Sequence, residues 1–342
     1  MGFELTPETA GPYLADHGAI PADATPRCDT LGGGVSNHVI KVTWDGECLV
    51  AKQPRPNLAV EDDWPADVTR VHNEAAAARA YDRTIDAVGL SGTRVPAVPF
   101  ERHEEHVIGL ECAPDAGVMW KRELLDGEVD TRIAAAVGRV LGAVHDAAAG
   151  DDDLRAQFES KVPFDQLRVD PYHRTTARRH PEVAPEIMTE ARRIMSVDRT
   201  LVHGDYSPKN VIVDRRDETP VTWILDFEVA HWGDPAFDTA FMLNHLFIKS
   251  LYNHRTGHEY VEAAETFWRA YDERVPWDIE GETVADLAVL MLARVDGKSP
   301  VEYVEEGPVA EALRSTAKAA LSRGTGTLAG FREIARGQRG RL

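Results

Sequence analysis

Asp205, Asn210 and Asp226 are the residues of this chain whose types and spacing could do chemistry together. Asp205 and Asn210 lie in His203-Gly204-Asp205-Tyr206-Ser207-Pro208-Lys209-Asn210, and Asp226-Phe227-Glu228 begins sixteen residues after Asn210. Phosphoryl transfer asks little covalent help of a protein. It needs a carboxylate to receive the acceptor's hydroxyl proton and hard oxygens to hold Mg²⁺ across the phosphates of ATP. Asp205 is the candidate base, or at least the group that orients the acceptor hydroxyl; Asn210 and Asp226 are the candidate Mg²⁺ ligands. Glu228, two residues beyond Asp226 on an extended segment, projects to the same side and is a further candidate metal oxygen. Any one of these carboxylates alone reads as a turn or cap residue. Taken together they point to a kinase.

Other residues read as support. His203, two residues before Asp205, braces the loop by packing and hydrogen bonding. Asp238 starts a helix after Gly233-Asp234-Pro235, where it either accepts backbone N–H bonds from the catalytic loop or caps the helix. Upstream, Leu31-Gly32-Gly33-Gly34-Val35-Ser36-Asn37 joins two predicted strands, and its glycines let backbone N–H groups approach phosphate oxygens. Lys52, on the next strand, has the reach for the α and β phosphates, and Glu74 on the following helix is placed to fix its ammonium.

These residues need elements to hold them. Val39–Trp44 alternates as a strand and Cys48–Lys52 resumes after the Asp45-Gly46 turn, which predicts a hairpin. An alanine-rich helix is expected over His72–Arg83, then strands over Val95–Phe100 and Val107–Glu111. After a Pro- and Gly-containing connector that follows Cys112, the pattern turns helical: Thr131–Ala149, Pro185–Met195, Phe237–Leu251, Tyr260–Arg274, Thr283–Arg294 and Val309–Arg323. Within that region only Val211–Val213 and Val221–Leu225 read as strands, a hairpin that carries Asp226 back toward Asn210. The expectation is an α+β, bilobal chain: a small antiparallel-sheet lobe with one main helix over 1–112, and a larger helical lobe over 113–342.

Composition bounds the class. The formal charge is −19, and only eight of the 38 basic residues are lysine; such a chain is not expected to bind nucleic acid. The acidity reads either as a groove for a cationic substrate or as a surface that stays solvated in a salty, halophilic cytoplasm. The second is preferred, because the acidic runs Glu61-Asp62-Asp63, Glu104-Glu105, Asp151-Asp152-Asp153 and Glu305-Glu306 are dispersed. No apolar run is long enough to span a bilayer and the N-terminus lacks a signal-peptide pattern. A cytoplasmic protein, monomer or homodimer, with a small-molecule acceptor and no membrane partner is therefore expected. Cys28, Cys48 and Cys112 are odd in number without metal-ligand spacing and read as buried free thiols.

At these residues the chain resembles the aminoglycoside phosphotransferase and choline kinase superfamily, which shares the protein-kinase-like fold and includes methylthioribose kinase and fructosamine kinase. The anchors are His203-Gly204-Asp205 with Asn210, Asp226-Phe227-Glu228 and Phe237-Asp238-Thr239-Ala240; Leu141-Gly142-Ala143-Val144-His145 is similar to the family's helix ahead of the catalytic loop. The resemblance implies that Asp205 is the catalytic base, that Asn210 and Asp226 bind magnesium, that Lys52 grips ATP, and that Glu111, Cys112 and Ala113 form the hinge against which adenine binds. The Asp-x-Glu form looks more like choline and methylthioribose kinases than like antibiotic phosphotransferases, where glycine is commoner at the place of Glu228. The chain departs from methylthioribose kinase at Asn210 and Phe227, commonly serine and proline there.

The acceptor pocket is expected beyond Asp238, with Lys209, His231, Trp232, His245, Arg294 and Lys298 as candidate contacts. Arg294 and Lys298, close in sequence, are a candidate clamp for an anionic group, which favours a ribose-type sugar or sugar phosphate resembling methylthioribose or ribose 1-phosphate. The alternatives are an aminoglycoside O-phosphotransferase, which acidic residues around the pocket would favour, and a nucleotide-binding pseudokinase, which would have lost Asp205, Asn210, Asp226 or Lys52. Only eleven residues separate Asp226 from Asp238, too few for the activation segment of a protein kinase.

Overall fold

The computed structural model describes residues 3–32, 35–59 and 64–342. Its N-terminal part is built on a five-stranded antiparallel sheet. Helix α1 (Pro7–Asp16) leads into β1 (Arg27–Thr30), β2 (Asn37–Trp44) and β3 (Glu47–Pro54); α2 (Arg70–Ala87), β4 (Thr93–Arg94), β5 (Phe100–Arg102) and β6 (Val107–Glu111) follow. The sheet runs in the order β1, β2, β3, β6, β5. The β2–β3 hairpin turns at Asp45-Gly46, both in the left-handed region, and alternation along β2 buries Ile40 and Val42 against Leu49, Ala51, Leu14 and Val107.

The strand expected over Val95–Phe100 is not formed: only Phe100 lies in a strand, and short strands flank the span at Thr93–Arg94 and Phe100–Arg102. Pro96 and Pro99 have no N–H for a ladder, so the chain pairs only before and after them. The first of these strands, β4, leaves the N-terminal sheet and pairs parallel with a strand of the C-terminal part. Helix α2 likewise sends Ala77, Tyr81 and Ile85 into the C-terminal core, so the two parts are stitched by more than their connector.

The cysteine expectation is also corrected: Cys48 and Cys112 form a disulfide, with Cα atoms 5.9 Å apart. The β3–β6 register sets Leu49 opposite Glu111, and the next position pairs Cys48 with Cys112. Separation of 64 residues in sequence hid this. Cys28 remains a free thiol, and it is half-buried rather than buried.

From β7 (Val118–Met119) onward the chain is mostly helical. In order come α3 (Trp120–Leu125), α4 (Thr131–Ala148), α5 (Asp152–Gln157), α6 (Val162–Phe164), a π-helix (Asp165–Arg174), α7 (Thr175–Arg179) and α8 (Ala184–Ser196). After β8 (Thr200–Val202), β9 (Val211–Asp214), β10 (Val221–Ile224) and β11 (His231–Gly233), the chain ends in α9 (Pro235–Tyr252), α10 (Gly257–Asp272), α11 (Glu280–Asp296), α12 (Pro308–Arg323) and α13 (Leu328–Arg339). Helices α4, α9, α10 and α11 enclose one large apolar core. Helix α9 is buried almost all round, as expected of a central helix. Glycines at Gly138 and Gly142 let α4 meet α10 backbone to backbone: a Cβ there would fall 2.4 Å from the Phe267 carbonyl and 2.8 Å from that of Tyr271. Three residues beyond Gly142 stands His145, buried with its ring nitrogens at Asp238 of α9 and the Tyr271 hydroxyl of α10. Among the described residues no helix is long and apolar enough to cross a membrane.

Candidate active site

The loop after β8 is held in place from behind. Asp238, in the first turn of α9, accepts the backbone N–H of His203 at 2.7 Å and of Gly204 at 2.8 Å, and His145 Nε2 lies 3.3 Å from the same carboxylate. The helix cap is a different residue, Asp234, which accepts from the Ala236 N–H. Gly204 sits at φ +78°, and a Cβ on it would fall 2.7 Å from the Val229 carbonyl oxygen, so only glycine fits. His203 accepts the Asp205 N–H on Nδ1 and donates from Nε2 to the Leu225 carbonyl, which fixes its tautomer. Burial pulls its imidazole below the usual value; it is a neutral strut between the Asp205 and Asp226 segments.

Asp205 is then presented at the centre of a charged cluster. Its Oδ2 lies 2.8 Å from Arg168 Nη2 and 2.8 Å from Lys209 Nζ, and accepts from Asn210 Nδ2 at 2.9 Å. Its Oδ1 is buried with no partner among the described residues. Burial disfavours the charge of Asp205, but Arg168 and Lys209 outweigh it and hold the carboxyl below its ordinary range. The same Asn210 nitrogen also donates to the Asp205 carbonyl, which leaves its amide oxygen as the atom a cation would take.

The β9–β10 hairpin closes the distance to Asp226. Ile224 pairs with Val211, and Leu225 N–H donates to the Asn210 carbonyl at 2.9 Å, so the two candidate metal ligands flank one pair of strand ends. Asp226 has φ +68°, a left-handed conformation costly outside glycine and typical of functional positions. Its Oδ1 receives Lys52 Nζ at 2.6 Å, and Lys52 lies 2.7 Å from Glu74. Burial opposes the charge of Lys52, yet Asp226, Glu74 and Glu228 more than offset it and the ammonium is held charged. Burial also opposes ionisation of Asp226, but Lys52 and Lys209 hold its carboxyl well below the carboxylate range. Burial raises the Glu74 carboxyl against the pull of Lys52. A divalent cation is chemically suited to this set: Asp226 and Asn210 offer hard oxygens, and one ammonium serves two carboxylates.

Glu228 is neither surface-exposed nor open to a ligand on both oxygens. Its Oε2 receives Arg70 Nε at 3.0 Å and Asn37 Nδ2 at 2.9 Å. Arg70, fully buried, also donates to the carbonyls of Ser36, Arg55 and Asp67. These bonds tie the end of the glycine-rich turn to the Asp226 segment. Gly32 is exposed on that turn, Ser36 and Asn37 stand at its return, and Gly33 and Gly34 lie outside the described residues. Glu111 ends β6, where its N–H donates to Ala97 O, and Cys112 and Ala113 open the connector.

The acceptor candidates disperse. His231 and Trp232 lie on β11 and are buried in packing, His231 stacked on Phe164 at 4.0 Å. Arg294 and Lys298 diverge instead of forming one clamp: Arg294 lies over Tyr172 at 5.7 Å, whereas Lys298 lies over Trp64 at 4.7 Å. His245 is buried on α9, its ring 5.4 Å from Phe241. Three contributors escaped the sequence reading. Arg168 and Tyr172 belong to a π-helix, which no periodicity announces, and Arg70 precedes the expected start of its helix. For Arg70 a signal existed: an arginine one turn ahead of Glu74 on the same face.

The model of the phosphotransferase enzyme family matches residues 27–278, a span that contains Asn37, Lys52, Arg168 and the whole 203–238 segment. Methylthioribose kinase of Bacillus cereus (strain G9842) is 24% identical over 278 residues, 73% of this chain and 68% of that protein. The 4-hydroxytryptamine kinase of Psilocybe cyanescens is also 24% identical, over 72% of this chain and 75% of its own length. In fold, a microcompartment-associated aminopropanol kinase aligns over 94% of this chain and 99% of its own with TM-score 0.59 and 12% identity. An amicoumacin kinase in complex with AMP-PNP, Ca²⁺ and Ami aligns over 95% of this chain and 97% of its own with TM-score 0.54 and 14% identity. The chain belongs to the phosphotransferase enzyme family and is a small-molecule kinase that transfers phosphate to a hydroxyl.

Proposed function

We propose that the protein uses ATP and Mg²⁺ to phosphorylate a hydroxyl of a ribose-type sugar or sugar phosphate. The observation that carries the reading is the meeting of Asp205, braced by Arg168 and Asn210, with the Lys52–Glu74–Asp226 group at the foot of one hairpin. Asn210 and Asp226 would hold the cation, which would supply positive charge to neutralise the phosphates. Lys52 would then serve the nucleotide's α and β phosphates while Glu74 keeps its ammonium in place. The backbone of 111–113 would bind adenine between the 1–112 and 113–342 parts of the chain.

Asp205 accepts the acceptor hydroxyl's hydrogen bond on Oδ1, the oxygen without a partner among the described residues. Its lowered pKa makes it a weak base early in the reaction, so it orients the hydroxyl first and takes the proton as the bond to phosphorus forms. Support for a ribose-type acceptor comes from the methylthioribose kinase relatives. A pseudokinase reading has no support in a site that keeps Lys52, Asp205, Asn210 and Asp226.

ADP release measured over pentoses, pentose phosphates, methylthioribose, amino alcohols and aminoglycosides tests the reading, with Asp205→Asn as control. Release dependent on a pentose or its phosphate, and lost in the control, is expected. Turnover confined to aminoglycosides would transfer the protein to the antibiotic-modifying class.

A further inference from the structure

A second charged group also meets Tyr172. Arg168 lies over the Tyr172 ring at 5.9 Å and holds Asp205 at 2.8 Å; Arg294 Nη1 approaches the Tyr172 hydroxyl at 3.4 Å. Next to Arg294 are Lys249, in the last turn of α9, and Lys121, in α3. Lys249 is fully buried, and its partners are the His245 carbonyl and the Tyr303 hydroxyl, each at 3.3 Å, with the Tyr303 ring at 5.2 Å. None of these is an anion. The neighbouring charges that act on Lys249 are Lys121, Arg294 and the carboxylate of Glu302, and Glu302 is already bonded to Lys121 and largely exposed.

A buried cation without a counter-ion is strongly disfavoured, and this cluster stands in a chain whose net charge is −19. Burial and the adjacent cations Lys121 and Arg294 pull the Lys249 ammonium down to about 7. A donor is also left over. Among the described residues Arg294 Nε is buried with no partner, as is the His245 Nε2 nitrogen, and His245 lies within the field of Lys249, Arg294, Lys209 and Lys121 together. Lys121 has Glu302, but Lys249 and Arg294, cations that repel one another one tyrosine from the residue that meets the acceptor hydroxyl, have no carboxylate bonded to them among the described residues.

We infer that Lys249, Arg294 and Lys121 form an anion subsite that seats a phosphate monoester of the acceptor, so that the enzyme converts a sugar monophosphate into a bisphosphate. This rests on the kinase reading above and specifies its substrate. The acceptor's free hydroxyl oxygen forms a bond to the γ-phosphorus, the bond from that phosphorus to the β,γ-bridging oxygen breaks with its electron pair leaving on ADP, and the hydroxyl proton passes to Asp205. The original phosphate is untouched, held by charge-assisted bonds. A subsite of this kind in an acidic molecule also focuses field lines toward the cleft for anionic substrates.

The test compares ribose, ribose 1-phosphate, ribose 5-phosphate and the carboxylate ribonate as acceptors for the wild type, Lys249→Met and Arg294→Gln. ADP release gives kcat and KM. Calorimetric binding of the same four probes in the presence of AMP-PNP gives affinity without turnover. A pentose phosphate is expected to be preferred over ribose, and each variant to lower that preference roughly 10- to 100-fold, chiefly through KM and Kd. Lys249→Met should also raise the thermal midpoint, because it removes a buried amine that has no carboxylate bonded to it among the described residues; Arg294→Gln keeps the test decisive should the first variant misfold. Equal use of ribose and its phosphates, or unchanged KM and Kd for the esters in both variants, overturns the subsite. Preference for ribonate overturns the phosphate assignment. Binding of an ester that Lys249→Met weakens, without ADP release from any acceptor, would instead remove the kinase reading and leave the subsite standing.

Discussion

Asp205 and Arg168 illustrate how a residue's role depends on what holds it. The Arg168 guanidinium donates to the Gly204 carbonyl and to that of Leu167 as well as lying against Asp205, so it fixes the carboxylate in position and keeps it ionised. Asp205→Asn removes the proton acceptor but preserves shape. Its kcat should fall on the order of 10²- to 10⁴-fold, with KM for ATP little changed; an unchanged kcat would mean the proton leaves by another route. Arg168→Met acts through Asp205. With one cation gone, burial raises the carboxyl, so the acid limb of the kcat profile should move to higher pH. A uniform drop in kcat at every pH would show a purely structural role.

At the scale of elements, the helices and hairpins that bury one face were legible because periodicity alone specifies them. Strand β6 has the expected bounds, Val107–Glu111, and α4 and α8 depart from expectation by one residue at their ends. The catalytic hairpin was readable for the same reason, since Val211 and Val221 open two short apolar runs around a polar turn. What escaped were elements whose form comes from tertiary partners. The π-helix contains Pro171 and lacks a clear apolar stripe, and the two-residue strands β4 and β7 exist only because β10 and β9 offer them an edge. The disulfide escaped because register, rather than spacing, brings Cys48 opposite Cys112. Its position suggests a measurable contribution: closing a 64-residue separation is worth up to about 4 kcal/mol in the chain-entropy view. Cys112→Ser, or reductant added to the wild type, should therefore lower the thermal midpoint, and the two treatments together should lower it no further than either alone. A midpoint indifferent to reductant would show the thiols unlinked in solution.

For the whole molecule, buried histidines add to the carboxylates as a source of acid lability. His231 donates from Nδ1 to the Val229 carbonyl and is buried against Phe164; burial pulls its imidazole from 6.5 to about 4. Above pH 6.5 the imidazole is neutral in both folded and unfolded chains and has no effect. Between 6.5 and about 4 only the unfolded chain takes the proton, so stability falls as pH falls, by at most about 3 kcal/mol at 1.36 kcal/mol per unit. His203 and His245 are lowered too and act with the same sign. Glu74 acts oppositely, because a carboxyl raised in the folded state takes its proton there first and adds stability on acidification. Comparison with His231→Phe, which keeps the ring against Phe164, separates these effects. The stability of the wild type relative to the variant, measured by urea denaturation, should be constant from pH 8 to about 6.5 and then decline toward pH 4. A difference that stays flat across that window would mean His231 is protonated in the folded protein or reached by water, and the acid loss would then belong to the carboxylates.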